Sequence, residues 1–62
     1  MDKKYQDIHV INVRTQKKVF LIRMVYVLAI NFTEDYILIT YATPKQAETK
    51  MFPKEWNKLI ID

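Results

Sequence analysis

Few residues of this chain could carry out covalent chemistry. His9 is the only imidazole, and both cysteine and glycine are absent from the 62 residues. A catalytic nucleophile needs a base that a third group orients, whereas His9 lies in a β-branched stretch where a half-exposed strand position is the simpler interpretation. Glu34 and Asp35 are adjacent carboxylates in a turn-forming segment, with no second pair to act as acid and base. The sequence therefore predicts a non-enzymatic protein without a catalytic residue.

Metal and cofactor sites are equally poorly supported by the residue types. A chain without cysteine and with a single histidine has too few soft ligands for a structural or catalytic zinc site. A chain without glycine cannot form the usual glycine-rich loops that hold phosphate groups of nucleotides. We expect neither a metal nor a cofactor.

Binding chemistry is better represented, because ten Lys and Arg face seven Asp and Glu, for a net charge of +3. Such a bias permits contacts with nucleic acid or acidic surfaces, although it is also common as ordinary solubilising charge. Cationic side chains beside exposed aromatic rings suit single-stranded nucleic acid, whose phosphates meet the cations and whose bases stack on the rings. Tyr26, Tyr36 and Trp56 are interpreted as core residues. The predicted nucleic-acid contacts are Arg14, Lys17, Lys18 and Lys50.

The elements that must position these residues are mostly strands. Residues 6–14 and 36–43 are rich in β-branched and aromatic residues, and polar breaks separate them from the apolar run between them. Residues 44–51 combine a capping-box form with an alternating pattern, and we favour a strand over a helix there. Pro53 suits the first turn of a helix, and an apolar stripe at i, i+3, i+4 follows it, which predicts a helix over residues 53–60. The predicted fold is a single α+β domain over residues 1–62, a mostly antiparallel meander of four to five strands with one C-terminal helix.

The apolar run VFLIRMVYVLAINF, residues 19–32, is the least usual segment. Fully extended, it would span about 46 Å, which is too long for so small a domain. We expect either two strands or one strand bent by a bulge near Arg23 and Met24. Arg23 then either marks the bend or forms an ion pair with a carboxylate of another chain.

Alternation along this run would give two apolar faces, because successive side chains of a strand point to opposite sides. One short helix cannot cover both faces, and an exposed apolar patch marks an interface. We therefore expect a homodimer, or a complex with a larger protein. The predicted interface residues are Val19, Leu21, Arg23, Val25 and Val27.

The same run is too short and too polar for a membrane span, which needs about 18 or more apolar residues. The N-terminal stretch MDKKYQD lacks the apolar segment of a signal peptide. Together with the absence of cysteine, these features predict a cytoplasmic protein without a membrane partner.

Three segments resemble the CsrA/RsmA-type RNA-binding translational regulators. They are VRTQKKVFLI, similar to that family's first hairpin, VYVLAINFTEDYILITYATPK, similar to its third and fourth strands, and KEWNKLI, similar to its closing helix. The resemblance implies five strands, a C-terminal helix, an intertwined dimer and RNA binding, with Arg14 as the residue that matches an RNA contact. The family's glycines and its arginine before the helix have no counterpart here. VYVLAINFTEDYILITY and FPKEWNKLI also resemble part of the LytTR-type DNA-binding domains.

Two functions follow as hypotheses from these features. The first is a small non-enzymatic regulatory protein that binds nucleic acid, RNA ahead of DNA, as a homodimer. The second is a protein–protein interaction module, such as a small inhibitor or regulator of phage or mobile-element type, which binds a larger protein through the apolar face of residues 19–31.

Overall fold

The computed structural model describes residues 5–62 of the chain, and within them it contains five strands and no helix. The strands are β1 (Gln6–Asn12), β2 (Lys18–Phe32), β3 (Tyr36–Ala42), β4 (Ala47–Pro53) and β5 (Asn57–Ile61). They form one sheet in the order β4-β3-β2-β1-β5, in which every neighbouring pair is antiparallel. The first four strands follow a meander, and β5 returns to pair with β1. The predicted α+β class is therefore wrong, and the fold is all-β.

The long strand β2 bends so that the sheet can enclose a core. Fifteen extended residues would span about 50 Å, yet the longest dimension of the molecule is 35 Å. Ile8 lies opposite Ile22 while Gln6 lies opposite Val25, so β2 contains one extra residue at this point. Met24 adopts a positive φ of 59° there, which is the conformation of a bulge that increases the local bend. The predicted bulge near Arg23 and Met24 is confirmed.

Asp7 holds this bend from the neighbouring strand. Its Oδ1 accepts a hydrogen bond from the Met24 backbone N–H at 2.9 Å. Its Oδ2 lies 3.6 Å from Arg23 Nε, and the Arg23 side chain stays 72% exposed. Of the two roles considered for Arg23, the structure supports the one in which it marks the bend. Its carboxylate partner, Asp7, belongs to the same chain.

The bulge also changes which side chains of β2 face inward. Phe20 and Ile22 point inward before it, and Val25 and Val27 do so after it. Two further irregularities lie along β2: between Lys18 and Phe20, where two steps along β2 match one step along β1, and between Val27 and Ala29, where two steps match one step along β3. The two faces expected from strict alternation therefore do not exist, because each extra residue reverses the parity of those that follow.

The core lies between the two halves of the bent sheet. Its fully buried members come from β1, β2 and β3, and Phe20 joins the halves through ring contacts with Tyr41 at 6.4 Å and Phe52 at 5.3 Å between centroids. The buried residues are Ile8, Val10, Val25, Ile37, Ile39 and Tyr41.

The helix predicted over residues 53–60 is replaced by the end of β4, a turn and β5. An isolated two-turn helix is marginal in water, whereas a strand here pairs with five consecutive residues of β1, from Ile8 to Asn12. The inward positions of β5 include Leu59 and Ile61, which pack against the core. Pro53 takes the last position of an edge strand, where its missing N–H costs no ladder hydrogen bond.

The ambiguous segment 44–51 contributes a tight turn and most of β4, so the favoured strand interpretation is confirmed. Thr43 closes the turn in place of starting a helix. Its N–H donates to the Gln46 carbonyl oxygen at 2.8 Å, and its hydroxyl oxygen accepts from the N–H groups of Lys45 and Gln46 at 3.2 Å each. The same threonine chemistry that predicted a capping box thus forms a hairpin turn.

The left-handed conformation of Met24 leads to a prediction with a definite sign. The left-handed conformation costs a non-glycine residue about 1–2 kcal/mol of conformational free energy. Glycine in a strand costs roughly 0.5–1 kcal/mol relative to alanine, which is less. We expect Met24→Gly to raise the free energy of unfolding by about 0.5–1 kcal/mol, measured by urea denaturation. The matched control is Met51→Gly in β4, since both methionines are exposed; it should lower stability by about the same amount. Equal losses in both variants would contradict the strain at Met24.

Candidate nucleic-acid interface

Two connections meet at one end of the sheet and bring cationic residues together. The first is the turn between β1 and β2, residues 13–17, and the second is the turn between β4 and β5, residues 54–56. The N–H of Val13 donates to the carbonyl oxygen of Trp56 at 2.8 Å, which extends the pairing of β1 with β5 into these turns. The segments 13–18 and 54–58 are called the basic end from here on.

The charge of the molecule is concentrated at the basic end. Its two segments contain five cations and one carboxylate, Glu55, which gives a net charge of +4. The whole chain has a net charge of +3, so the remaining residues together carry −1. The modest charge of the chain therefore understates the field at this surface. The five cations are Arg14, Lys17, Lys18, Lys54 and Lys58.

The turn between β1 and β2 is fixed by its own hydrogen bonds. Asn12 Oδ1 accepts from the N–H groups of Arg14 and Thr15 at 2.9 and 3.0 Å. Gln16 takes the positive φ, 64°, that a glycine would often supply, and its N–H donates to the Asn12 carbonyl oxygen at 2.8 Å. These contacts present Arg14 and Lys17 from a defined backbone.

Arg14 and Trp56 form the central contact of the basic end. The Arg14 guanidinium carbon lies 4.3 Å from the centroid of the Trp56 ring, within the range of a cation–π interaction. The Trp56 residue remains 38% exposed. A stacked guanidinium keeps N–H donors in its plane available for a phosphate, and the indole adds a flat apolar surface for a base.

Lys18 and Lys58 extend the cationic surface along the sheet. Both lie opposite Ile11, one on β2 and one on β5, so their backbones are about 10 Å apart. None of the ion pairs found among residues 5–62 involves Arg14, Lys17, Lys18 or Lys58.

The structure thus brings together three of the four predicted contacts and separates the fourth. Lys50 lies on β4, opposite Ile39, and its Nζ is 3.5 Å from Glu48 Oε1. Sequence reasoning missed Lys54 and Lys58 as members of the basic end. It also placed Trp56 in the core together with Tyr26 and Tyr36, whereas these three residues are 38%, 50% and 40% exposed.

Glu48, the partner of Lys50, connects several groups at the rim of the core. Its carboxylate accepts hydrogen bonds from Gln46 Nε2 at 2.8 Å and from the Tyr41 hydroxyl at 3.4 Å. The Gln46 hydrogen bond, followed by the charge of Lys50, lowers the pKa of Glu48. Burial, reinforced by the carboxylate of Glu48, raises the pKa of Tyr41. These groups stabilise the β3–β4 rim and take no part in the basic end.

The predicted interface residues on β2 also divide into two groups. Val19 and Leu21 are 51% and 44% exposed, and Arg23 points to solvent. Val25 is 2% exposed, so it has no surface to offer a partner in the folded state, and Val27 is partly buried and packs against the core. The physical reason is the reversal of parity at Met24.

The outer face of β2, β3 and β4 is the main uncharged surface among the described residues. Its large exposed members include Tyr26, Leu28 and Met51, at 50%, 51% and 58% exposure. Thr40 and Thr49 share a hydrogen bond of 3.0 Å between their hydroxyl groups in the middle of this face.

Two further features lie away from the basic end. A cavity of about 420 Å³ is lined by uncharged residues that include Tyr5, Tyr26 and Pro44, so it offers no cation to a phosphate. His9 Nε2 is 3.1 Å from Asp62 Oδ2 on the outer side of β1 and β5. No helix in residues 5–62 is long and apolar enough to cross a membrane.

Comparison with known proteins gives no match to a family model, a curated protein sequence or a solved structure. The resemblance to CsrA/RsmA-type regulators, and the weaker one to LytTR-type domains, therefore stays a prediction from the sequence segments. The closing helix that the resemblance to CsrA/RsmA-type regulators implied is replaced by a turn and β5.

Proposed function

We propose that this protein binds single-stranded nucleic acid through the basic end and catalyses no reaction. The observation that carries the proposal is the Arg14 guanidinium stacked on the partly exposed Trp56 ring. This contact lies within two segments of net charge +4. Phosphates would meet Arg14, Lys17, Lys18 and Lys58, and a base would stack on Trp56.

Several details of this proposal rest on the sequence. RNA stands ahead of DNA because three segments resemble RNA-binding regulators. The lack of glycine and cysteine, with one histidine, supports a non-catalytic role. A cysteine-free chain also suits the reducing environment of the cytoplasm.

Salt dependence of binding is the direct test. If four cations neutralise four phosphates, log K for a single strand falls with log salt at a slope of about −2.8, so affinity drops roughly 50-fold between 50 and 200 mM salt. The measurement is fluorescence anisotropy with labelled single-stranded RNA and DNA of mixed sequence. An absence of binding to both at 50 mM salt would refute the proposal.

Variants of the basic end locate the site. The double variant Arg14→Gln, Lys17→Gln should reduce the magnitude of the slope by about 1.4. Trp56→Leu should weaken binding by roughly 5- to 150-fold at constant salt, the loss of one stacked base. The matched control is Lys45→Gln, Lys50→Gln, which removes the same charge from β4 and its preceding turn. A control that weakens binding as much as the double variant would show that only the total charge matters.

The uncharged outer face of β2, β3 and β4 favours a second candidate function, binding of another protein. Its apolar residues include Tyr26, Leu28 and Met51, which differ from the interface residues expected from the sequence. If the protein acts by binding another protein, Leu28→Lys should abolish its effect in the cell. The double variant Arg14→Gln, Lys17→Gln should retain that effect.

A further inference from the structure

The free edge of β4 is the strongest unassigned surface in the described part of the chain. β4 is the outermost strand on its side of the sheet and pairs only with β3 among residues 5–62. An unpaired edge presents backbone donors and acceptors that another strand can use.

The backbone groups that point outward from this edge follow from the register. The hydrogen bond from Thr43 N–H to the Gln46 carbonyl oxygen closes the β3–β4 hairpin. Hydrogen-bonded and non-hydrogen-bonded pairs alternate along an antiparallel ladder, and the pairing continues without a shift from Ala42↔Ala47 to Tyr36↔Pro53. The outward-pointing N–H and C=O groups therefore belong to Ala47, Thr49 and Met51.

We propose that β4 pairs antiparallel with β4 of a second copy of this chain, about a two-fold axis at Thr49. In this register Thr49 lies opposite its own counterpart, and Ala47 lies opposite the second copy's Met51. These are the residues with outward backbone groups, so each copy donates three N–H groups to the other. The result is a ten-stranded continuous sheet, twice the five strands of one chain.

Charge complementarity selects the second copy and this register. With Thr49 on the axis, Glu48 of each copy lies directly opposite Lys50 of the other copy. The two-fold axis therefore creates two Glu48–Lys50 pairs, and both side chains lie on the same side of β4. Opposite charges at such positions are favourable, and like charges are unfavourable. Sliding the strands by two residues places either the two glutamates or the two lysines against each other.

The other side of β4 adds no opposing charge. Ala47, Thr49 and Met51 point to the outer face, so the uncharged surface of β2, β3 and β4 continues across the two-fold axis. A lysine in an edge strand often blocks pairing, but Lys50 already lies beside Glu48 at 3.5 Å. Because each copy contains both Glu48 and Lys50, an isologous interface supplies a glutamate opposite every lysine.

The β5 edge offers no comparable match, since Lys58 is its only charged residue between Asn57 and Ile61. Pairing of β4 with β5 of another copy would moreover be heterologous and would give rings or filaments in place of a closed dimer.

A charge-swap experiment tests the register. The wild-type chain should sediment as a dimer of about 15 kDa, twice the chain mass of 7.5 kDa. Glu48→Lys alone and Lys50→Glu alone should each be monomeric, because each places like charges opposite each other. An equimolar mixture of the two variants should recover the dimer mass, since the lysines of one then face the glutamates of the other.

Further variants separate loss of pairing from loss of folding. Thr49→Pro removes an N–H that points away from β3, so the strand ladder within the chain is retained while the dimer dissociates. Lys58→Glu on β5 is the charge control and should remain dimeric. Circular dichroism checks that each variant is folded.

The inference is independent of nucleic-acid binding, because the variants expected to dissociate the dimer lie outside the basic end and its readout is mass. A wild-type chain that stays monomeric at about 200 μM would overturn it, because the dimer would then be weaker than specific interfaces are. So would a mass above the dimer, single variants that dimerise as the wild type does, or a mixture of folded variants that stays monomeric.

Discussion

Replacing Val25 with aspartate is expected to unfold the protein, whereas the same change at Leu21 is expected to be tolerated. Val25 is 2% exposed and Leu21 is 44% exposed. An unpaired carboxylate in the core costs several kcal/mol. The total stability expected for a chain of this length is roughly 3–9 kcal/mol. Leu21→Asp leaves its carboxylate in water and should cost less than about 1 kcal/mol.

This pair of variants tests the bend in β2 because the two positions have the same parity. A regular strand would place Val25 and Leu21 on one face, and both changes would then have similar effects. Far-ultraviolet circular dichroism and urea denaturation measure the outcome. If Leu21→Asp also unfolds the chain, or Val25→Asp leaves it folded, the reversal of parity at Met24 is wrong.

Truncation of Ile39 to alanine is expected to reduce the free energy of unfolding by about 2–5 kcal/mol. Ile39 is fully buried at the centre of β3, between Ile30 on β2 and Lys50 on β4. The bent sheet contains six fully buried hydrophobic residues among those described, so few neighbours are available to fill the cavity that the truncation leaves.

The matched control for Ile39 is Thr40→Ala, the next residue on the same strand. Thr40 faces outward and shares its hydroxyl hydrogen bond with Thr49 at 3.0 Å, so its removal should cost about 0.5–1.5 kcal/mol. Urea denaturation with an unchanged m-value would show that both variants retain the same folded state. A loss below 1 kcal/mol for Ile39→Ala would contradict a core centred on β3.

Local patterns were sufficient for most of the strands. The β-branched content of residues 6–14 and 36–43 predicted β1 and β3 nearly to their ends. The length of the apolar run against the size of the domain predicted the bend near Arg23 and Met24, which lies at Met24. The spacing of Arg14, Lys17 and Lys18 predicted that they share one hairpin, because a turn fixes the proximity of residues that are neighbours in sequence.

The same patterns gave wrong predictions where the conformation of a segment depends on pairing with a strand that is distant in sequence. Residues 53–60 satisfied a helical stripe, yet pairing with the free edge of β1 gives this segment a ladder and a buried face as β5. The parity of Val25 and Val27 depends on an extra residue whose position is fixed by Asp7 on β1. No count along β2 alone could have located it.

The sequence by itself thus determined a chain rich in strands, a bend within residues 19–32 and a cationic first hairpin. These are properties of composition, of strand propensity and of residues close together in the chain. Only the tertiary structure decided that the C-terminal segment is a strand, that Val25 and Val27 are core residues, and that Trp56 lies against Arg14. Each of these depends on pairing with β1, which joins segments far apart in sequence and outweighs the weaker local preferences.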